Sequence, residues 1–348
     1  MRIQPLVNDP QPACRLVSEA FGAGVTIRGL SAADMRWLLG YPGGKPFAWQ
    51  ALRRRGQIQV ALDADPGNGG AGTTQKDAID LPDGLVLIGT GLPALLEVRE
   101  GHECTDDRFA RSLNLALSQQ WARAGLMMVH GAGMVLADSG ALILGPKASG
   151  KSTLTAAVLA EGGRAVSDDW MLAGFDSEGQ ARMERTRGFL MLRSSWATER
   201  LLSSHAGLAF RTQGKRPKHM LAADPEDSRF PISNRVDHIV LLQRPSSRPQ
   251  QSQRNPAPPQ QALAALIAAG MPLLFSDRFP EERHNLTVLA NSMLSGLPID
   301  SLVCGLDIPT GRVDLAALLR PASTRRRLDS ARCAERQPPH GVVDVEEQ

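Results

Sequence analysis

The segment Gly145-Pro146-Lys147-Ala148-Ser149-Gly150-Lys151-Ser152 fits the pattern Gly-x-x-x-x-Gly-Lys-Ser without a mismatch. No other stretch constrains the fold as strongly, because its flanks are also specified. The apolar run Ala141-Leu142-Ile143-Leu144 before it predicts a buried strand, and the run from Thr153 to Ala160 after it predicts a helix. A strand, a glycine loop and a helix start, in that order, curl successive backbone N–H groups around a phosphate. The helix N-terminus adds partial positive charge. Lys151 then reaches the β- and γ-phosphates, and the Ser152 hydroxyl is a ligand for Mg²⁺. Gly145 through Ser152, with Thr153 in the first helical turn, are therefore the candidate contacts for ATP.

A second feature follows the helix, which the pair Gly162-Gly163 stops. The run Arg164-Ala165-Val166-Ser167-Asp168-Asp169-Trp170 predicts a short strand ending in two adjacent carboxylates, seventeen and eighteen residues after Lys151. One helix and one strand separate the acids from the loop. The spacing predicts a strand beside the loop strand, with both C-terminal ends at one sheet edge, where open α/β sheets bind ligands. Asp168 is the candidate Mg²⁺ ligand. Asp169 is the candidate base for an attacking hydroxyl. Upstream, His130 lies in Val129-His130-Gly131, fifteen residues before Gly145. The span between reads as a strand, then a tight turn at Asp138-Ser139-Gly140 into the loop strand. Such a hairpin returns the chain to its origin and brings His130 towards the phosphates.

Composition limits the alternatives. Net charge is only +3 across 348 residues, part of it from Arg325-Arg326-Arg327 near the C-terminus. With no interleaving of basic and aromatic residues, nucleic acid is not an expected partner. The four cysteines are far apart and form no zinc-spaced cluster with histidine. No run approaches the roughly 18 apolar residues of a membrane span, and Met1 to Cys14 lacks the apolar centre of a signal peptide. The expected location is cytoplasmic, with no membrane partner and reduced thiols.

Four parts are expected along the chain. Residues 1–105 read as an α+β region, with strands near 25–27, 58–62 and 85–88, a short helix over 32–39 and a glycine-rich loop over 65–74. Residues 106–245 hold the nucleotide core, opened by an amphipathic helix over 106–124 whose apolar stripe extends to Trp121. Within the core, residues 211–218 carry four cations and a glycine, the composition of either a phosphate-closing loop or a solvated one. His238, in a buried strand over 236–242, reads as a core histidine. Residues 246–320 form a helical elaboration with a final strand near 301–305. The Arg- and Pro-rich residues 321–348 are an expected disordered tail.

Together, Val129-His130-Gly131, the loop Gly145 to Ser152, and Gly163-Arg164-Ala165-Val166-Ser167-Asp168-Asp169 resemble the catalytic domain of the HPr kinase/phosphorylase family in order and spacing. The resemblance is close over residues 129–169 and looser over 110–245. It implies an α/β fold with a P-loop nucleotide-binding core of that catalytic-domain type, preceded by the α+β region and followed by the helical elaboration. It implies active-site roles for Lys151, His130 and Asp169, the last taking a proton from a substrate serine. It also implies a possible ring or dimer of identical chains, and related proteins phosphorylate a serine of a peptide. The sequence departs from the family at Thr153, where an acidic residue is usual. It departs again at Leu190-Met191-Leu192-Arg193-Ser194, where only the arginine of Glu-Ile-Arg-Gly remains. Glu184 and Glu199 are the candidates to replace the metal-binding glutamate lost there. The expected activity is transfer of the γ-phosphoryl group of ATP to a hydroxyl of a protein, peptide or small molecule. Hydrolysis coupled to motion, or nucleotide sensing without transfer, are the other uses such a loop serves.

Overall fold

The computed structural model describes residues 1–39, 57–63, 78–80, 85–88, 94–98, 106–193, 195–204, 210–213, 218–224, 226–244, 252–304, 306–307 and 312–313. The glycine-rich segment 65–74, residues 214–217 of the cationic segment and the tail 321–348 lie outside these residues.

The N-terminal part is one antiparallel sheet. Its strands are β1 (Arg2–Pro5), β2 (Ala13–Val17), β3 (Gly24–Arg28), β4 (Gln57–Leu62), β5 (Ala78–Asp80), β6 (Leu85–Ile88) and β7 (Ala94–Val98), in the order β1-β2-β3-β4-β7-β6-β5. Leu16, Val25, Ile27, Ile58 and Val60 alternate with more exposed neighbours and are buried on one face. Helix α1 (Ala32–Leu39) starts at a reciprocal cap. Ser31 N–H and Oγ both donate to Asp34 Oδ2, and Asp34 N–H donates to Ser31 Oγ. Helix α2 (Asp106–Arg123) packs against this sheet, with Phe109, Leu113 and Trp121 buried. β1, β2, β5 and β7 are additional to the strands expected from sequence. β1 holds a single large apolar residue, Ile3, and Arg15 interrupts the apolar residues of β2, so neither shows a continuous hydrophobic run.

The next strands are β8 (Met127–His130), β9 (Ala132–Leu136), β10 (Ser139–Leu144), β11 (Arg164–Ser167), β12 (Trp170–Phe175), β13 (Ala181–Arg185), β14 (Phe189–Arg193), β15 (Phe210–Gln213), β16 (Lys218–Ala222), β17 (Ser233–Arg235), β18 (His238–Leu242), β19 (Gln253–Pro256), β20 (Ile299–Val303), β21 (Leu306–Asp307) and β22 (Arg312–Val313). Six of these form the central sheet, in the order β11-β9-β10-β18-β20-β19. β10, β18 and β20 run parallel, and β9 is antiparallel to both β10 and β11. The expected hairpin is β9–β10. It turns at Ala137 and Asp138, both left-handed at φ 46° and 63°, the twist-matched geometry for a two-residue hairpin turn.

The hairpin corrects one expectation. The acid-bearing strand β11 does not lie beside the loop strand β10, because β9 takes that place. Two antiparallel steps still leave β11 and β10 pointing the same way, so their C-terminal ends share one edge.

Helix α3 (Lys151–Ala160) and helix α4 (Trp196–Ser204) pack together on one face of the central sheet. Helix α5 (Pro259–Ala269) and helix α6 (Pro280–Gly296) cover the other face with α2. Ala141 and Ile143 of β10 enter the core under α3, while Leu142 and Leu144 enter the core under α2, α5 and α6. Both faces of β10 are thus buried, and a strand buried on both faces must be apolar throughout. The uninterrupted run Ala141–Leu144 has that cause.

Beside the central sheet stand a four-stranded sheet, β17-β13-β12-β8, and a three-stranded sheet, β14-β16-β15. The chain crosses from the four-stranded to the central sheet between His130 and Ala132, and crosses back between Ser167 and Trp170. The two crossings touch. Gly131 N–H donates to Asp169 O at 2.9 Å, and Trp170 pairs with His130 across β12 and β8. A Cβ at Gly131 would sit 2.8 Å from the Ile143 carbonyl oxygen, so this crossing needs glycine.

Candidate active site

The loop after β10 folds back on itself. Ser149 N–H donates to Pro146 O at 3.2 Å, with Ala148 and Gly150 left-handed at φ 66° and 105°. Left-handed backbone is strained for alanine. A Cβ on Gly145 would meet Leu242 O at 2.6 Å and Ser149 Oγ at 2.8 Å, which fixes glycine at the exit of β10. Gly150 gives helix α3 no side-chain cap, and its first turn carries no acidic residue. The helix therefore presents its N-terminal amides and partial positive charge without an anion from the protein.

Lys151 is buried and curls over the loop. Its Nζ donates to Gly145 O at 2.6 Å and Pro146 O at 3.2 Å. Burial lowers its pKa, against an opposing pull from Asp169. Across the cleft, Asp168 is only 4% exposed. Its Oδ1 accepts the Met191 amide at 2.7 Å, while Oδ2 has no hydrogen-bond partner. Its carboxyl is pushed up to about 6, first by burial and then by neighbouring Asp169. The Met191 amide, the Ser152 hydroxyl and Arg187 act in the opposite direction. Ser152 is near enough to favour the anion, although no bond of ordinary geometry reaches Oδ2.

Asp169 is held from both sides. His130 Nε2 lies 3.1 Å from Oδ1, and Arg187 Nη1 lies 2.6 Å from Oδ2. The His130 ring is braced by Trp170 at a centroid distance of 5.3 Å, and the Arg187 guanidinium lies 5.7 Å from the Phe189 ring centroid. The Ser167 hydroxyl donates to Trp170 O and accepts the Asp169 amide, which sets the backbone of the acidic pair.

Two clefts meet at this carboxylate. The smaller, of about 290 Å³, is lined by Lys147, Ala148 and Gly150 to Thr153 on one side and by Asp168 and Asp169 on the other. The larger, of about 870 Å³, reaches from Gly145 and Pro146 past Arg187 to helix α5. His130, Lys147, Asp169, Met191 and Arg193 belong to both. Of the loop residues singled out from sequence, Ser149 lines neither cleft; it is buried beneath the turn, and its Oγ has no partner.

Neither candidate glutamate reaches the site. Glu184 is fully buried elsewhere, bound by the Met1 amino group at 2.6 Å, by the Ser18 hydroxyl and by the amides of Glu19 and Ala20. Glu199 is exposed on α4. Met191 lines the cleft next to Asp168 instead. Among the described residues no group of three or more His, Cys, Asp or Glu side chains is arranged for a metal. The chemistry present still fits Mg²⁺, which takes one or two carboxylates and draws its other ligands from phosphate and water. The unpartnered, buried Oδ2 of Asp168 is the group such a cation would satisfy, with the Ser152 hydroxyl beside it.

Arg187 went unnoticed in the sequence. It sits in the turn from β13 to β14 with no motif around it, and the only local cue is the following Gly188. His238 is buried in β18 as expected, its pKa lowered to about 4, mainly by burial. Its Nδ1 lies 3.4 Å from Ser139 Oγ.

No family model matches the sequence, and no curated protein does. Among solved structures, the chain is similar to the Hpr(Ser) kinase/phosphatase from Coxiella burnetii. That match has 12% identity, covers 52% of this chain and 86% of that one, and has a TM-score of 0.27. Among the described residues, no helix is long and apolar enough to cross a membrane.

Proposed function

We propose that this chain is an ATP-dependent phosphotransferase acting on a hydroxyl group. The observation that carries the reading is the position of Asp169, on the wall shared by two clefts, one of which also holds Lys151, the loop and Asp168. A donor in the smaller cleft and an acceptor in the larger would meet at this carboxylate. The complete loop motif, the uncapped helix start and the left-handed turn support triphosphate as the donor.

In the proposed reaction Lys151 leaves the loop carbonyls for the β- and γ-phosphate oxygens, while the loop amides hold the diphosphate. Ser152 and Asp168 would hold Mg²⁺, and a cation there would supply neutralising charge for the leaving diphosphate. The acceptor oxygen bonds to the γ-phosphorus as the bond from that phosphorus to the β–γ bridging oxygen breaks. ADP departs, and the hydroxyl proton passes to Asp169. His130 and Arg187 orient the carboxylate. Positioning and electrostatics supply the rate enhancement, with no covalent intermediate on the protein.

The test is incubation of the purified chain with γ-labelled ATP and Mg²⁺, alone and with cell extract. Label transferred to an acceptor supports the reading. Release of free phosphate alone, unchanged by extract, makes the chain an ATPase and overturns it. Nucleotide binding with no turnover makes it a sensor, and also overturns it.

A further inference from the structure

The larger cleft has a chemical character of its own. Its residues include three cations, Lys147, Arg187 and Arg193, against one carboxylate, Asp169. Each cleft also has a private cation: Lys151 lines only the smaller one and Arg187 only the larger. Lys147 and Arg193 stand on the boundary, and neither forms an ion pair among the described residues. A concave site with excess positive charge favours an anionic occupant. Guanidinium groups suit carboxylate and phosphate, because their donors match two oxygens at once.

Part of the lining is apolar. Helix α5 contributes Ala265 and Ala268, and Met271 follows it. Ala268 is exposed and Ala265 half-buried. Small side chains leave room for a ligand to approach the helix closely. The volume of about 870 Å³ falls within the range of small-molecule pockets. Cations, methyl groups and Asp169 line one cleft, which makes an amphiphilic site that includes a candidate base.

Resting on the phosphotransferase reading above, we propose that the larger cleft binds the phosphoryl acceptor, and that this acceptor is a small hydroxyl compound. It carries a carboxylate or phosphate, held by Arg193 and Arg187, and an apolar portion lying against Ala265, Ala268 and Met271. Its hydroxyl is thereby turned towards Asp169 and the γ-phosphate.

The experiment is calorimetry on the full chain saturated with a non-hydrolysable ATP analogue and Mg²⁺. The probes are hexyl phosphate, inorganic phosphate and hexanol. Hexyl phosphate is expected to bind at least tenfold more tightly than inorganic phosphate, because a buried alkyl chain adds apolar area. Hexanol is expected to bind too weakly to measure. Ala268→Trp, on the exposed side of α5, should weaken hexyl phosphate at least tenfold. Arg193→Gln should erase the advantage of hexyl phosphate over hexanol. Nucleotide affinity is read separately in each variant, and thermal unfolding reports that each is folded. Failure to bind nucleotide at all sinks the phosphotransferase reading. Normal nucleotide binding with hexyl phosphate no tighter than inorganic phosphate sinks the acceptor proposal alone. So does hexyl phosphate binding that Ala268→Trp leaves unchanged.

Discussion

His130 Nε2 lies 3.1 Å from Asp169 Oδ1, and the two residues meet because each sits where the chain crosses between the same two sheets. The contact is built by backbone. Gly131 N–H holds Asp169 O, and Trp170 pairs in register with His130. The candidate base is therefore positioned by sheet geometry rather than by a flexible loop, which is how orientation is maintained at low entropic cost.

Asp169→Asn should keep the shape of the site and lose the proton acceptor. Transfer is expected to fall by a factor on the order of 10²–10⁴. The nucleotide Kd should change little, since the loop contacts remain. Full transfer by the variant would show that Asp169 is not the base.

Lys151→Ala removes the only side-chain cation, among the described residues, that lines the smaller cleft and not the larger. Phosphoryl transfer should drop below detection. Steady-state assays with γ-labelled ATP measure this directly, and residual activity within tenfold of the parent protein would remove Lys151 from the mechanism.

Arg187→Gln removes the guanidinium that lies 2.6 Å from Asp169 Oδ2 and orients the base. Loss of orientation should lower kcat by about tenfold to a hundredfold while the nucleotide Kd stays the same. Arg187→Lys, which keeps the charge, should recover part of the loss. A kcat equal to the parent's would mean that Arg187 does not act on the base.

Asp168→Asn tests the cost of a buried carboxylate. In the folded chain this group titrates near 6 rather than at its ordinary 3.8, with burial the main cause and Asp169 the second. Between those values the folded state holds a proton that the unfolded state has released. Wild-type stability therefore falls as pH rises from about 4 to about 6, then levels. The asparagine variant escapes this loss, so it should be the more stable protein above pH 6, by up to about 3 kcal/mol. The gap should close towards pH 4. Urea unfolding of both proteins across that range is the measurement, and a gap independent of pH would contradict the assignment.

Gly145→Ala forces a methyl group to within 2.6 Å of the Leu242 carbonyl oxygen. The loop or β18 must shift, at a cost of about 1–3 kcal/mol. Nucleotide affinity should fall with stability, and both are readable in one thermal-shift titration with ATP. A variant as stable as the parent, with undiminished affinity, would show that the loop tolerates the shift.

Much of the site was legible in the chain itself. The loop, its strand and its helix follow from local rules: a continuous apolar run, a glycine pattern and a good helix former. The acidic pair and His130 were recognisable by their intervals from Lys151. The hairpin between them was signalled by Asp138-Ser139-Gly140, although the turn itself falls at Ala137-Asp138. Arg187 carried no signal, because a single arginine in a turn has no periodicity to read. Glu184 was a candidate for its carboxylate alone, which says nothing about which way its strand faces, and this one turns towards Ser18 and Met1.

What the amino-acid order determined alone, then, is the phosphate loop between strand and helix, since hydrogen bonds and φ angles over a few neighbouring residues set it. Tertiary structure decided the rest. It put β9 between β10 and β11, and it brought Arg187 onto Asp169 from a different strand connection. It also brought Ala265 and Ala268 of α5 into one cleft with Arg193, a cleft whose lining runs from Asn114 to Met271. Those contacts depend on burying both faces of one sheet at once, a condition that no short window of sequence contains.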